Sequence, residues 1–296
     1  MSGHPSSPPP DRPEVPAGIA EAGPRWPWGF GFLAFAVAIL ITILLAGIAA
    51  AVAGVEPGEE KSSAFTVVAT VIQDAALVLA AILFAALVAR PRAWHFGLRR
   101  TAFWPAVGWA ALGVVAFYAF AGLYSATVDA DAKQRITESL GADKGTVGLI
   151  VAGCVVMILA PLAEEFFFRG FFYRALRGRF GVLGAALVDG VVFGFVHYSF
   201  EGLDQLLILP PLMALGVIYC LVYEQTGSLW PVVAMHAFNN AVAYGVQTGD
   251  QGGWKVSLVV GPLMIGAAML APRLLPAGPR GSAPLPVADP QPAGVR

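Results

Sequence analysis

Two adjacent glutamates, Glu164 and Glu165, lie in a segment that otherwise has the composition of a membrane helix, TVGLIVAGCVVMILAPLAEEFFFRGFF. A carboxylate at bilayer depth is costly unless it is paired, solvated or protonated, so two in succession indicate a buried polar site. A carboxylate in such a site could act as the general base that activates a water molecule. The structural alternative is that both acids only cap the helix or pair with the arginines that follow.

Helical spacing distinguishes the two glutamates. Glu165 and Arg169 are four residues apart and share one helix face, which predicts a direct ion pair. Glu164 is rotated by about 100° and faces elsewhere. Pro161 cannot donate to the carbonyl of Met157 and tends to kink the helix. A kink here would open backbone and side chains toward a cavity.

His197 is the next polar residue in an apolar segment, DGVVFGFVHYSF. A single histidine on such a helix is more often held by a hydrogen bond in the core than catalytic. A turn is predicted near Phe180 and Gly181, however, and Glu165 and His197 lie sixteen residues on either side of Gly181. Equidistant residues of an antiparallel helical hairpin lie at the same level. If both helices are continuous, the carboxylates and the imidazole should meet across the hairpin.

A third segment, LWPVVAMHAFNNAVAYG, contains His236 and Asn240 four residues apart, so both project from one helix face. If this helix starts at Leu229, His236 lies roughly 10 Å deep at about 1.5 Å per residue. The spacing therefore predicts a shallow site that opens to the cytoplasm. The structural alternative is a polar clamp between helices.

Composition sets the class of protein. Of the 296 residues, 57% are hydrophobic and only 12% are charged, which is too apolar for an ordinary soluble domain and predicts a polytopic membrane protein. The formal net charge is -1 and the basic residues are spread along the chain, which argues against nucleic acid as a partner. Cys154 and Cys220 lie in apolar runs and are expected to pack as small hydrophobic residues.

The expected fold is an all-α bundle of about eight transmembrane helices, since each span needs roughly 20 mostly apolar residues. The predicted spans are near 29–54, 64–89, 102–124, 146–168, 183–200, 205–223, 229–246 and 255–272. Arginines after spans two and four predict that both termini are cytoplasmic, in a protein of the cell membrane.

The chain divides into five predicted parts. Tails at 1–27 and 274–296 are rich in Pro and Gly and are expected to be disordered. Residues 28–145 hold spans one to three, residues 146–246 form a catalytic core of spans four to seven, and residues 247–273 hold span eight.

The three polar segments together resemble a known family. EEFFFR, which contains Glu164, Glu165 and Arg169, is followed by FGFVH, which ends at His197, and by HAFNN, from His236 to Asn240. This set is similar to the three motifs of the CPBP intramembrane metalloprotease family, over about residues 147–243. That family includes type II CAAX prenyl endopeptidases and bacterial proteins linked to bacteriocin processing or self-immunity.

The resemblance implies an endopeptidase that hydrolyses a membrane-associated peptide or protein near the cytoplasmic face of the lipid bilayer. By similarity, Glu164 and His197 would orient and deprotonate the water, while His236 and Asn240 would stabilise the oxyanion. Glu165 and Arg169 would hold these groups in place.

The resemblance also raises the question of a metal cofactor. Glu164, His197 and His236 would suit a catalytic zinc ion with an open water position, as the family name asserts. These residue types alone do not distinguish metal-bound water from glutamate-activated water. We favour the glutamate-dependent mechanism.

Two other classes of function remain open. A catalytically silent immunity or scaffold protein could keep the fold and bind a peptide, and an ion-coupled transporter would also contain intramembrane acids and broken helices. The sequence has no detectable repeat, which argues against the transporter. It also lacks the His-Glu-x-x-His zinc helix and the serine and aspartyl signatures of other intramembrane proteases.

Three further polar residues lie in predicted spans. Gln73 and Asp74 are expected to form hydrogen bonds between helices. Asp189 lies eight residues before His197 on a similar face, so it is either a partner of that histidine or a second interhelical hydrogen-bonding group.

Overall fold

The computed structural model describes residues 24–55, 62–128, 136–198 and 202–274. The predicted tails at 1–27 and 274–296 lie almost entirely outside these ranges. The end of the N-terminal tail is nevertheless packed, because Trp26 is buried against Phe96 and Phe171.

Within the described ranges the protein is all-α, with no strand, which confirms the predicted fold class. The α-helices are α1 Trp28–Ala53, α2 Ser63–Ala86, α3 Phe103–Thr127, α4 Ile136–Ser139, α5 Thr146–Cys154, α6 Ala160–Phe167, α7 Tyr173–Phe195, α8 Leu209–Thr226, α9 Leu229–Gln247 and α10 Gly253–Leu274. π-helical turns at Val155–Leu159 and Phe168–Phe172 join α5, α6 and α7. Short 3₁₀ helices lie at Ala93–Phe96, Leu203–Ile208 and Gly249–Gln251.

Long apolar helices make this an integral membrane protein. In the part of the chain that is described, six helices are long and apolar enough to cross a membrane, compared with about eight predicted spans. Predicted spans four and five fall within one continuous helical stretch, Thr146–Phe195, which counts as a single candidate span. Helix α9 is not among the six. The side chains of His236, Asn239 and Asn240 make α9 too polar, although its helix lies where span seven was predicted.

The long stretch bends at Gly181, which has φ 70 and ψ -175, a conformation that glycine adopts without a steric penalty. The predicted turn is therefore confirmed. The helix that contains predicted span four does not end at residue 168 but continues through a π-helical turn into α7. Arg169 and Arg174, expected in a loop, are helical and buried.

Pro161 explains an irregularity just upstream of the glutamates. In the π-helical turn, the N–H of Ala160 donates to Val155 O, five residues back. The next bond in this register would join Pro161 to Val156 O, but proline has no N–H. The carbonyl of Val156 is therefore available to a partner outside the helix.

Small residues let α7 and α8 pack closely. A Cβ on Gly190 would lie 2.6 Å from Met213 O, and one on Gly216 would lie 2.8 Å from Gly190 Cα. Close backbone approach of this kind is common between membrane helices. It brings the carbonyl of Gly216 within reach of the α6–α7 segment, where it becomes part of the site. Helices α2 and α9 pack against α6 from other directions.

Candidate active site

Glu165 is the centre of a buried polar network. Its Oε1 accepts a hydrogen bond from Arg169 Nη1 at 2.9 Å and lies 2.7 Å from His236 Nδ1. Glu165 and Arg169 are fully buried, and His236 is only 2% exposed. The ion pair predicted from the i, i+4 spacing is therefore confirmed. Its partner in α9 was not predicted.

Arg169 connects the glutamate to the neighbouring helices. Its Nη2 donates to Gly216 O at 3.1 Å and lies 3.5 Å from Asp189 Oδ1. Its guanidinium carbon is 4.3 Å from the centroid of the Phe193 ring, in cation–π geometry. A buried cation is tolerated when charges and hydrogen bonds surround it in this way. Of the two alternatives for Asp189, the structure thus favours an interhelical contact, with Arg169 as its partner.

Glu164 faces the other side of the same histidine. Its Oε2 is 4.0 Å from His236 Nε2, and 14% of its side chain is exposed. Because Arg169 donates to Glu165, the carboxylate acts as an acceptor, and this favours the His236 tautomer that has its proton on Nδ1. In the neutral ring, Nε2 is therefore an acceptor directed toward Glu164. Glu165 therefore contacts Nδ1 of the His236 ring, while Glu164 lies near Nε2 on its other side.

His197 does not reach the glutamates. Helix α7 ends at Phe195, and His197 lies in the turn that follows, with Nδ1 2.8 Å from Phe193 O. No hydrogen bond or ion pair joins His197 to Glu164 or Glu165 in the described structure. The predicted meeting across the hairpin is therefore not made by a direct hydrogen bond, and the second helix ends two residues before His197.

The hairpin register itself is present one turn nearer the bend. Arg169 and Phe193 lie twelve residues on either side of Gly181 and are in contact. The Phe193 ring is also 4.9 Å from the ring of His197 and 5.9 Å from the ring of His236, measured between centroids. Phe193 therefore links the two histidines of the predicted site.

Asn240 anchors α9 to the irregular part of the long helix. Its Nδ2 donates to Val156 O at 2.8 Å, the carbonyl that Pro161 leaves open. One amide hydrogen of Asn240 is used in this contact and one remains. The neighbouring residue, Asn239, has its Nδ2 3.5 Å from Asn240 Oδ1. Its Oδ1 accepts a hydrogen bond from the Tyr118 hydroxyl.

Tyr219 is a site residue that sequence reasoning missed. Its ring centroid is 5.2 Å from that of His236, and the residue is fully buried. Its hydroxyl has no hydrogen-bond partner in the described part of the chain, and neither do Glu164 Oε2 and Glu165 Oε2. Buried polar atoms are usually bonded, so these open atoms mark a position for water or substrate. A tyrosine in an apolar run was the available signal.

Asp74 also lies near the site. It is 2% exposed on α2. The hydrogen bonds predicted for Asp74 are absent among the described residues, since neither carboxylate oxygen has a partner. Helix α2, which carries it, packs against α6. A third carboxyl group therefore borders the two glutamates.

The family resemblance raises the question of a metal ion at this site. No group of three or more His, Cys, Asp or Glu side chains is placed to hold a metal ion within the described ranges. A catalytic zinc site needs three protein ligands and an open position. The Nδ1 atoms of His197 and His236 are occupied by Phe193 O and Glu165, which leaves only Nε2 of each ring as a possible metal ligand.

Comparison with known proteins gives one match. Residues 146–242 match the family model described as Type II CAAX prenyl endopeptidase Rce1-like. This region runs from the start of α5 into α9 and contains all six predicted site residues. No curated protein and no solved structure matches the chain. The chain therefore contains a region similar to the Rce1-like type II CAAX prenyl endopeptidases, as its motifs indicate, and at the coarse level this similarity is to a membrane protease.

Proposed function

We propose that this protein is an intramembrane endopeptidase in which Glu164 acts as the general base. The observation that carries the proposal is the placement of two glutamates on opposite nitrogens of one histidine. Glu165 is held by Arg169 and orients His236, whereas Oε2 of Glu164 has no protein partner in the described structure. Glu165, which is held in place, is suited to orient the histidine. Glu164, which has an unpartnered oxygen, is suited to act as the base.

The gap between Glu164 and His236 suits a water molecule. At 4.0 Å, Glu164 Oε2 and His236 Nε2 are too far apart for a direct hydrogen bond. A water between them donates one hydrogen to each acceptor. Glu164 takes the proton as the water oxygen attacks the peptide carbonyl, and the carboxylic acid then returns a proton to the leaving amine as the C–N bond breaks.

The carbonyl oxygen becomes an oxyanion and needs hydrogen-bond donors. Two groups at the site have a donor to spare, namely the hydroxyl of Tyr219 and the second amide hydrogen of Asn240. We assign oxyanion stabilisation to these donors, whereas His236, which the family motif gives that role, accepts a hydrogen bond from the water in this proposal. The family motif assigns His197 to the water, and in this proposal it contacts the substrate from the end of α7.

The proposed substrate is a peptide end at the membrane surface. His236 is two helical turns from Leu229, the first residue of α9, so a peptide reaches the site from that end of the bundle. A prenylated CAAX peptide follows by analogy from the family match.

The test is peptide hydrolysis by the purified full chain. We expect Glu164→Gln to lower kcat by about 10²–10⁴, because the amide cannot accept the proton. Glu138→Gln is the matched control, since Glu138 is exposed on α4, and it should keep wild-type activity. We also expect chelators to leave the wild-type rate unchanged.

Three results would count against the proposal. Undiminished hydrolysis by Glu164→Gln would refute the role of Glu164. Loss of activity on chelation, restored by added zinc, would refute the metal-independent mechanism. If the wild type binds candidate peptides but cleaves none, the silent scaffold or immunity alternative is favoured.

A further inference from the structure

A second set of buried polar groups lies outside the candidate active site. Trp26, Arg174 and Tyr223 are each more than nine-tenths buried, at 5%, 8% and 4% exposure. Trp26 Nε1, Arg174 Nη1 and the Tyr223 hydroxyl have no hydrogen-bond partner in the described ranges. None of the three contacts the network around Glu165. All three can donate hydrogen bonds.

The three residues share one neighbourhood. The guanidinium carbon of Arg174 is 5.4 Å from the Trp26 ring centroid, and the Trp26 ring is 5.2 Å from that of Phe96. The next residue, Gly97, has φ 84, and a Cβ on it would lie 2.6 Å from the Tyr223 hydroxyl. The 3₁₀ helix Ala93–Phe96 thus connects the surroundings of Trp26 to those of Tyr223.

The neighbourhood contains several hydrogen-bond donors and two arginines. Trp Nε1 and the arginine guanidinium only donate, so neither can satisfy the other. Burial lowers the pKa of Arg99 in the adjoining loop; Tyr223 opposes this shift, and the nearby Arg174 adds to it. The three unpartnered donors would be satisfied by an oxygen-rich anion.

We propose that Arg174, Tyr223 and Trp26 form a binding site for a phosphate oxyanion, supplied by an anionic lipid headgroup or by free phosphate. The planar guanidinium matches phosphate geometry. Trp26 lies two residues before α1 and Tyr223 in the last turn of α8, so the site is at the ends of two long apolar helices, at the level of lipid headgroups. Arginines at such a membrane boundary are suited to anionic lipids.

The test is thermal unfolding of the purified full chain in detergent. Samples receive phosphatidylglycerol, inorganic phosphate, or sodium chloride at equal ionic strength. Binding to the folded state raises Tm, and we expect a rise of roughly 2–4 °C over chloride. A rise with phosphatidylglycerol alone identifies the headgroup as the source, and a rise with inorganic phosphate identifies free phosphate. Both results support the site.

Variants locate the effect. Arg174→Gln should abolish the rise, and Tyr223→Phe should reduce it without removing the aromatic ring. Arg179→Gln is the matched control, because Arg179 is exposed on the same helix, and it should keep the full rise. If Arg174→Gln does not fold, the site is tested with Tyr223→Phe instead. Its rise in Tm and its retention of phosphatidylglycerol in native mass spectrometry are then compared with those of the wild type. The proposal is overturned if no ligand exceeds chloride, or if the variants keep the wild-type rise.

Discussion

At the residue scale, two identical neighbours in the sequence have different surroundings. The one-residue offset turns Glu165 toward Arg169 and His236, while Glu164 keeps an unpartnered oxygen. The Glu165–Arg169 pair could be predicted because it is local, four residues along one helix. The bond from His236 to Glu165 and the position of Tyr219 could not, because both depend on how α8 and α9 pack on α6 and α7.

Tyr219 gives the sharpest prediction at this scale. Its hydroxyl is assigned to the oxyanion, and removing one such donor typically costs about 10²–10³ in kcat. We expect Tyr219→Phe to lower kcat by that factor with little change in KM, since the interaction forms in the transition state. The measurement is steady-state hydrolysis alongside thermal unfolding.

Tyr124→Phe is the control for Tyr219→Phe, because Tyr124 is half-buried on α3 and its hydroxyl donates to Leu207 O, outside the candidate active site. Because Tyr219→Phe keeps the aromatic ring, its Tm should equal that of the wild type. A Tyr219→Phe enzyme with wild-type kcat would remove Tyr219 from the mechanism while leaving the role of Glu164 intact.

At the element scale, the irregular turn before α6 is the place where α9 is attached by a hydrogen bond. Pro161 leaves Val156 O without its helical donor, and Asn240 of α9 supplies one at 2.8 Å. π-helical turns are frequent at functional sites, and here two of them flank the helix that carries both glutamates. The sequence predicted a helix irregularity at Pro161, but it did not predict which group would donate to the unpaired carbonyl of Val156.

The end of α7 shows where sequence reasoning fails at this scale. After Phe195 the sequence continues VHYSF, with no glycine or proline that would mark the end of the helix. The hairpin register around Gly181 was predictable from counting residues. The point at which the second helix ends, two residues before His197, depends on tertiary packing.

A double-mutant cycle tests the docking of α9. Asn240→Ala leaves the carbonyl of Val156 without a donor, and we expect it to lower the free energy of unfolding by about 1–3 kcal/mol. Pro161→Ala restores a backbone N–H that can bond within the helix. In that background Asn240→Ala should therefore cost less, with a coupling energy of at least about 0.5 kcal/mol.

Unfolding of the four proteins of this cycle by denaturant gives the coupling directly. Thr42→Ala serves as a control, since the Thr42 hydroxyl bonds only within α1 and should show no coupling to Pro161. Additive losses for Asn240→Ala and Pro161→Ala would show that the open carbonyl does not explain the contact.

At the scale of the whole molecule, the arginines gather at one end of the bundle. Arg99 Nε donates to Gly227 O between α8 and α9, and Arg100 Nε donates to Pro272 O at the end of α10. Trp26, just before α1, contacts Arg174 at the same end. The start of α1 and the end of α10 therefore lie on one side, as the predicted topology requires.

Which side faces the cytoplasm is a prediction from charge. Cytoplasmic segments carry an excess of Lys and Arg, so the arginine end should be cytoplasmic. Green fluorescent protein fused after Arg296 should then fluoresce, and alkaline phosphatase at the same position should be inactive. A phosphatase inserted at Gly252, between α9 and α10, should be active because that turn lies at the opposite end. The reverse pattern would place the candidate active site, which is nearer the arginine end, on the outer face and would exclude cytoplasmic peptides as its substrates.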